Sequence, residues 1–248
     1  MEEWNPENHK TDLNSNGITS DFIEQLHKLR QDLLSGIRLG DQELVSELEG
    51  QISRVIGSDQ LNILKRVPNN KIRAFKNILL SHNTLYSYAA ELGGLSPWQS
   101  HFMSEKYAII IEHAETVPQL EKIHTNMMME YADPAIRFRE SKNLTIVEKA
   151  ENFIETNFAE DLSIEEIAEK LHVHPSHLMR SFKKEKGITI SHYRNVRRIK
   201  EAKELILHTN LSMTEIAFMI GFNNSQYFSK FFKEHEGLSP IEFKKGKK

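Results

Sequence analysis

Two short stretches of this 248-residue chain place hydrogen-bonding side chains at helical spacing beside bulky apolar ones. In the first, Ser176, His177, Met179 and Arg180 share the face left free by Leu178 and Phe182. In the second, Ser225, Gln226, Ser229 and Lys230 share the face left free by Phe228 and by Phe231 or Phe232. Such a face makes and breaks no bonds, but it offers donors and acceptors to a flat polar partner. Arg180 can grip guanine O6 and N7, Gln226 can pair with adenine N6 and N7, and Met179 can touch a thymine methyl. Lys183, Lys184 and Lys233 follow at the ends of the same stretches and suit phosphate oxygens, as do the capped helix starts, Asn223 and Asn224 included. The competing reading of each residue is a solvated side chain on an exposed helix. His172, His174 and His177 invite a metal reading, but no carboxylate or cysteine at fixed spacing completes the set, so no metal site is expected. His101, His113 and His124 read as surface or satisfied core residues. No serine elbow, catalytic glycine loop or paired-carboxylate pattern is present, so no catalytic residue, enzyme activity or cofactor is expected.

The elements that must position these faces form a repeat. LSIEEIAEKLHVHPSHLMRSFKKEKGI (residues 162–188) and LSMTEIAFMIGFNNSQYFSKFFKEHEGL (residues 211–238) align with an offset of 49 residues at the front and 50 at the back, which places one extra residue in the second turn. Ser163 with Glu166, and Ser212 with Glu215, have capping-box spacing, so a helix starts at each. Ile167, Ala168 and Leu171, and then Ile216, Ala217 and Ile220, give each first helix an apolar stripe. Turns follow at His172-Val173 and Gly221-Phe222, and second helices open at Pro175 and after Asn223-Asn224. Each copy is a helix-turn-helix, whose second helix enters the major groove of DNA.

The stretch GFNNSQYFSKFFKEHEGLSPIEFKK, with the paired motif before it, resembles the C-terminal DNA-binding domain of the AraC/XylS family of bacterial transcription regulators. It shares the family's glycine-phenylalanine turn, tyrosine-phenylalanine recognition helix and glycine-x-serine/threonine-proline ending. The resemblance covers about 100 residues and implies that the base-contacting positions fall on the residues named above. Between the copies, residues 191–208 predict a linker helix with Tyr193, Ile199, Ala202 and Ile206 inward. Its roughly 27 Å length is close to the roughly 34 Å between successive major-groove faces on one side of the duplex. Arg194, Arg197 and Arg198 on this helix read as phosphate contacts or as contacts to the N-terminal half.

Charge supports the division. Residues 1–144 carry 15 Lys and Arg against 20 Asp and Glu, whereas residues 145–248 carry 17 against 15. The basic excess sits with the repeat, and the acidic half should repel DNA. Zero cysteines exclude disulfides, iron-sulfur clusters and the thiolate acceptors that alkyl-transfer repair proteins with an AraC-type domain require. With neither an apolar span nor a leader pattern, no membrane association is expected, and a cytoplasmic location is.

The N-terminal half shows helical periodicity throughout. Residues 1–17 read as a loose arm, residues 18–140 as a helical domain and residues 141–248 as the DNA-binding domain. Within the helical domain, Phe22, Leu26, Leu29 and Leu33 define one helix, with Gly36 and Gly40 at its end. Leu44, Leu48, Ile52 and Val55 define its hairpin partner. Helices from Lys71, from Ser96-Pro97 with a Ser96/Gln99 capping box, and from Pro118 follow, and residues 135–143 read as the linker. Met127, Met128 and Met129 read as core filler, with an adaptable ligand site as the alternative. The expected fold is therefore all-α: a helical sensor and dimerisation domain joined to an AraC-type domain with two helix-turn-helix motifs. This departs from the sugar-binding β-barrel of the best-known AraC arrangement, so that pocket is not carried over. The expected partners are double-stranded DNA, a second copy of the chain, and a small-molecule effector whose residues no motif assigns. RNA polymerase is a further candidate partner. The alternatives are a docking module controlled by a peptide or protein and an enzymatic domain tethered to DNA.

Overall fold

The computed structural model describes residues 20–57, 64, 66–137 and 144–246, so the expected arm and residues 138–143 of the expected linker lie outside it. Among the described residues the regular elements are all helical, with no strand, as the periodicity predicts. They are α1 (Ser20–Leu39), α2 (Gln42–Gly57), α3 (Lys71–Leu92), α4 (Pro97–His113), α5 (Val117–Tyr131), α6 (Ile146–Asn157), α7 (Ile164–Lys170), α8 (Pro175–Lys186), α9 (Ile190–His208), α10 (Met213–Met219), α11 (Ser225–Glu236) and α12 (Pro240–Lys245). None is long and apolar enough to cross a membrane. Two compact units emerge: residues 1–93 with 115–134, and residues 94–114 with 135–248.

The first unit packs α1, α2, α3 and α5. Asp41 accepts from the Leu44 amide at 3.0 Å and opens α2, giving the expected hairpin. Gly36 does not end α1 but lies inside it, where its missing side chain admits α2: a Cβ there would stand 2.9 Å from Val45 Cγ2. Leu33, Ile37 and Val45 are buried at this seam, and Phe75, Leu79, Tyr86 and Ala89 of α3 turn inward. Met127 and Met128 are completely buried core residues.

Capping is redistributed. Ser96 accepts from the Gln99 amide at 3.2 Å, but the Gln99 side chain is buried instead of reaching back, so no reciprocal box forms at α4. The box appears instead at α5, where Thr116 and Gln119 cap each other ahead of Pro118.

In the second unit α4 packs against α6 and α9, although the sequence groups it with the N-terminal half. The helix is apolar on more than one side, and Phe102, Met103, Tyr107, Ile110 and Ile111 are all buried. Phe102 meets the Phe158 ring edge-on at 5.0 Å. Lys106, only 3% exposed, pairs with Glu201 of α9 at 3.2 Å. A buried ammonium needs such a partner, because desolvation without one would drive it neutral. Burial alone would raise the Glu201 carboxyl, but Lys106 and Arg197 outweigh it and hold the group well below the ordinary carboxylate range.

Candidate nucleic-acid interface

Each helix-turn-helix is assembled from the signals that the repeat carries. Ser163/Glu166 and Ser212/Glu215 form reciprocal capping boxes, and in both pairs the glutamate is held below its usual range by hydrogen bonds to the serine. The turn residue is left-handed in both copies, His172 at φ 55 and Gly221 at φ 87. At Gly221 a side chain is excluded twice, by that conformation and because a Cβ would overlap the Ala159 carbonyl oxygen. The extra residue of the second copy lies in the turn, as the offset predicts: His174 caps α8 two residues after His172, and Asn224 caps α11 three after Gly221. Asn224 accepts from the Gln226 and Tyr227 amides at 2.8 and 2.9 Å, whereas His174 accepts only from Ser176, at 3.3 Å. Gly187 and Gly237, both left-handed, close the two recognition helices.

The cores beneath are unlike. Leu178 and Phe182 of α8 join Val147, Ala150, Phe153, Ile154, Ile167, Ala168 and Ile190 in one apolar cluster. Under α11 the packing is aromatic, with Phe222 against Phe228 at 5.4 Å, Phe228 against Phe232 at 5.8 Å and Phe232 against Phe243 of α12 at 5.6 Å. Phe231 and Phe232 are both buried, so the second helix has three inward phenylalanines, not two.

Helix α9 joins the copies over 19 residues, or about 28 Å. Arg197 and Arg198 are buried and structural, which corrects the reading of these two as phosphate contacts, while Arg194 is half-buried. Arg197 lies 2.7 Å from Glu155 and from Glu201 and stacks on Phe158. Arg198 donates to the Phe158 and Glu160 carbonyls at 2.7 and 3.1 Å, satisfying the chain end of α6, and covers the Phe222 ring. Burial, with Arg194 nearby, lowers its pKa to about 10, so it stays charged at neutral pH. Arg194 donates to the Leu162 carbonyl.

The sequence-selected residues fall as follows. On α8, Ser176, His177 and Arg180 are exposed and Met179 is 44% exposed; Arg180 donates back to the Ser176 carbonyl at 3.1 Å. On α11, Gln226 and Lys230 are exposed, and Lys230 lies 3.8 Å from Glu234. Ser225 and Ser229 are half-buried, with the Ser229 hydroxyl donating to the Ser225 carbonyl at 2.9 Å. Lys183, Lys184 and Lys233 are exposed. Asn223 is exposed and donates to Asp161 at 3.0 Å, while the side-chain oxygen of Asn224 is occupied in capping. His177 and Lys184 also line an open groove with Ser181, Glu185 and the start of α6 at Ile146 and Val147. Sequence reasoning passed over Tyr227, which is 51% exposed on α11 and accepts from Asn195 at 3.2 Å. The repeat carried the signal, since Tyr227 stands one offset of 50 after His177.

Two capped helix-turn-helix units on one shared helix define a DNA-binding protein. A family model described as a helix-turn-helix domain matches residues 167–246. The bifunctional transcriptional activator/DNA repair enzyme AdaA of Bacillus subtilis (strain 168) is 38% identical over 92 residues, 37% of this chain and 44% of that protein. The uncharacterized HTH-type transcriptional regulator YisR of the same organism is 29% identical over 148 residues, 58% of this chain and 51% of its own length. That match is longer than the stretch from Thr145 to the end of this chain, so it reaches into the N-terminal half. This chain thus spans about half the length of the curated relatives it matches. The solved C-terminal domain of AraT, a response regulator from Geobacillus stearothermophilus, is 37% identical, covering 43% of this chain and 88% of that one with a TM-score of 0.40. The C-terminal part is an AraC-type helix-turn-helix DNA-binding domain.

Proposed function

We propose that this protein is a sequence-specific regulator that reads double-stranded DNA with α8 and α11 and performs no reaction of its own. The observation that supports this most strongly is the pairing of two exposed hydrogen-bonding helix faces on a rigidly braced α9. One copy of the chain then presents two reading helices joined by a 19-residue helix about 28 Å long. In this reading Ser176, His177, Met179 and Arg180, with Ser225, Gln226, Ser229 and Lys230, face base edges, and Tyr227 joins them. Lys183, Lys184, Lys233, Asn223 and Asn224 hold the phosphate backbone. The first unit receives an effector and pairs two copies, and the effector acts by its differential affinity for two arrangements of the pair.

The test uses quantitative binding to cognate and random duplexes at fixed salt. Arg180→Ala should cost on the order of 1 to 3 kcal/mol and relax preference at one position, whereas Lys183→Ala should weaken all sequences alike and reduce the salt slope by about 1. Equal losses on both duplexes for Arg180→Ala would remove its role as a reader. Sedimentation of the full chain as a monomer at micromolar concentration, with no preference for paired sites, would remove the pairing.

A further inference from the structure

Three potential ligand atoms converge inside the first unit. His82 Nδ1 lies 3.1 Å from His124 Nε2, the Tyr86 hydroxyl lies 3.0 Å from His124 Nε2, and the same hydroxyl lies 3.5 Å from His82 Nδ1. His82 and Tyr86 stand four residues apart on one face of α3, and His124 faces them from α5. Tyr86 and His124 are buried at 2% exposure, and His82 is only partly covered, leaving a way in. From sequence alone His124 reads as a surface or satisfied core residue, because its partners lie about forty positions away.

Each ring nitrogen presents either one hydrogen or one lone pair, and the hydroxyl one hydrogen and two lone pairs. Without a metal, His82 Nδ1–H donating to the Tyr86 hydroxyl and that hydroxyl donating to His124 Nε2 satisfies all three groups and leaves the two ring nitrogens 3.1 Å apart. The same three atoms, in other tautomers, each have a lone pair that one metal ion could accept. Tetrahedral bonds of about 2.0 to 2.1 Å place ligand atoms about 3.3 to 3.4 Å apart, and the three observed separations bracket that value.

We propose that His82 Nδ1, Tyr86 Oη and His124 Nε2 form a binding site for a divalent transition-metal ion of imidazole preference, zinc or copper(II), with a fourth position open toward the His82 side. Two imidazoles and a phenolic oxygen suit these ions better than magnesium or calcium, which demand more oxygen ligands. No group of three or more His, Cys, Asp or Glu converges among the described residues, and the third ligand here is a phenol. Burial, with Arg30 as a neighbouring positive charge, lowers the pKa of His82; burial, with His82 beside it, lowers that of His124; and burial raises that of the Tyr86 phenol, so the metal must itself displace the phenol proton. On binding, His82 carries its proton on Nε2 and His124 on Nδ1, and the Tyr86 phenol gives its proton to water as the oxygen–metal bond forms. The released proton balances the step, and the phenolate offsets the charge of Arg30. The inference deepens the sensor reading of this unit by naming a ligand class, and the site stands or falls independently of that reading.

The test is direct titration of untagged full-length protein with zinc or copper(II) alone, by calorimetry and equilibrium dialysis. One ion per chain should bind, with proton release and a phenolate-to-copper charge-transfer band. Tyr86→Phe, which removes only the oxygen, should abolish the band, and His82→Ala should weaken affinity by at least about tenfold, the smallest loss expected when even a supporting partner of a ligand is removed. Tyr86→Phe keeps the packed ring, so it remains informative even where circular dichroism shows that His82→Ala, which truncates a partly buried imidazole, is unfolded. No saturable binding, or stoichiometric binding that neither variant alters, overturns the site. Metal binding that leaves DNA affinity unchanged upholds the site and counts against the sensor reading instead.

Discussion

The two helix-turn-helix copies share capping boxes, stripe residues and closing glycines, yet they are fastened into the protein by different means. The first is held by a mixed aliphatic and aromatic cluster and, through α9, by the buried Arg197–Glu201–Lys106 ion pairs and the Arg197 pair with the partly exposed Glu155. The second is held by tilted and edge-on phenylalanines, by Arg198 of α9 over Phe222, and by a glycine turn seated directly on the Ala159 carbonyl, with the Lys203–Glu236 pair, at 2.9 Å, as its salt bridge to α9 among the described residues. The same local unit can therefore be embedded by charge or by shape. The faces differ as well: α8 ends in Lys183, Lys184 and Lys186, whereas on α11 Lys230 faces Glu234. Lys186 is paired with Glu151 at 2.7 Å, which leaves Lys183 and Lys184 at the end of α8 against Lys233 on α11.

The largest expected contrast lies in the turns. Gly221→Ala adds a methyl that overlaps backbone at a left-handed position, so it should cost about 4 kcal/mol or more and unfold the second unit. His172→Gly, at the matching exposed position, should change stability by no more than about 1 kcal/mol. Urea denaturation followed by circular dichroism reads both, and similar losses would erase the difference between the turns.

Next come the ion pairs of α9. Arg197→Met leaves Glu155 and Glu201 short of a buried partner and should cost about 3 kcal/mol. Lys203→Met opens a pair that water already screens and should cost no more than about 1 kcal/mol. A larger loss for Lys203→Met in the same denaturation series would reverse the assignment of charge to the first copy and shape to the second.

Acid sharpens the comparison further. The folded-state pKa of Glu201 lies below its ordinary 4.5, so its stabilisation is complete above that pH and is lost as pH falls toward the folded value of about 2. Glu166 and Glu215 are shifted the same way in both copies and should not distinguish them. Stability measured from pH 5 down to pH 2 should therefore flatten in Glu201→Gln relative to the parent protein. An unchanged slope would mean that Glu201 is not the group responsible.

The smallest effect concerns the caps. Asn224→Ala should cost about 1 kcal/mol, and His174→Ala, which gives up one longer bond, about half that. Equal losses by thermal denaturation would show that the imidazole caps as well as the amide.

Much of this was legible in the amino-acid sequence because the signals are local. A capping box is a Ser or Thr and a Glu three residues apart, and the boxes at Ser163 and Ser212 formed where that spacing places them. The offset change from 49 to 50 located the extra turn residue, and helical periodicity alone excluded strands. The faces of α8 and α11 were equally readable, since Leu178, Phe182 and Phe228 assign the inward side and leave the remainder exposed. Tertiary structure decided what depends on partners far along the chain. Gln99 and Gln119 both stand three residues after a capping hydroxyl, but the first is drawn into the buried side of α4 and only the second completes its box. Arg197 and Arg198 look like surface cations until Glu155, Glu201 and the Phe158 carbonyl are brought to them. The allegiance of α4 follows from Lys106 meeting Glu201 ninety-five residues later. Periodicity shows which face of a helix is buried, but the face it packs against depends on contacts that no local spacing encodes.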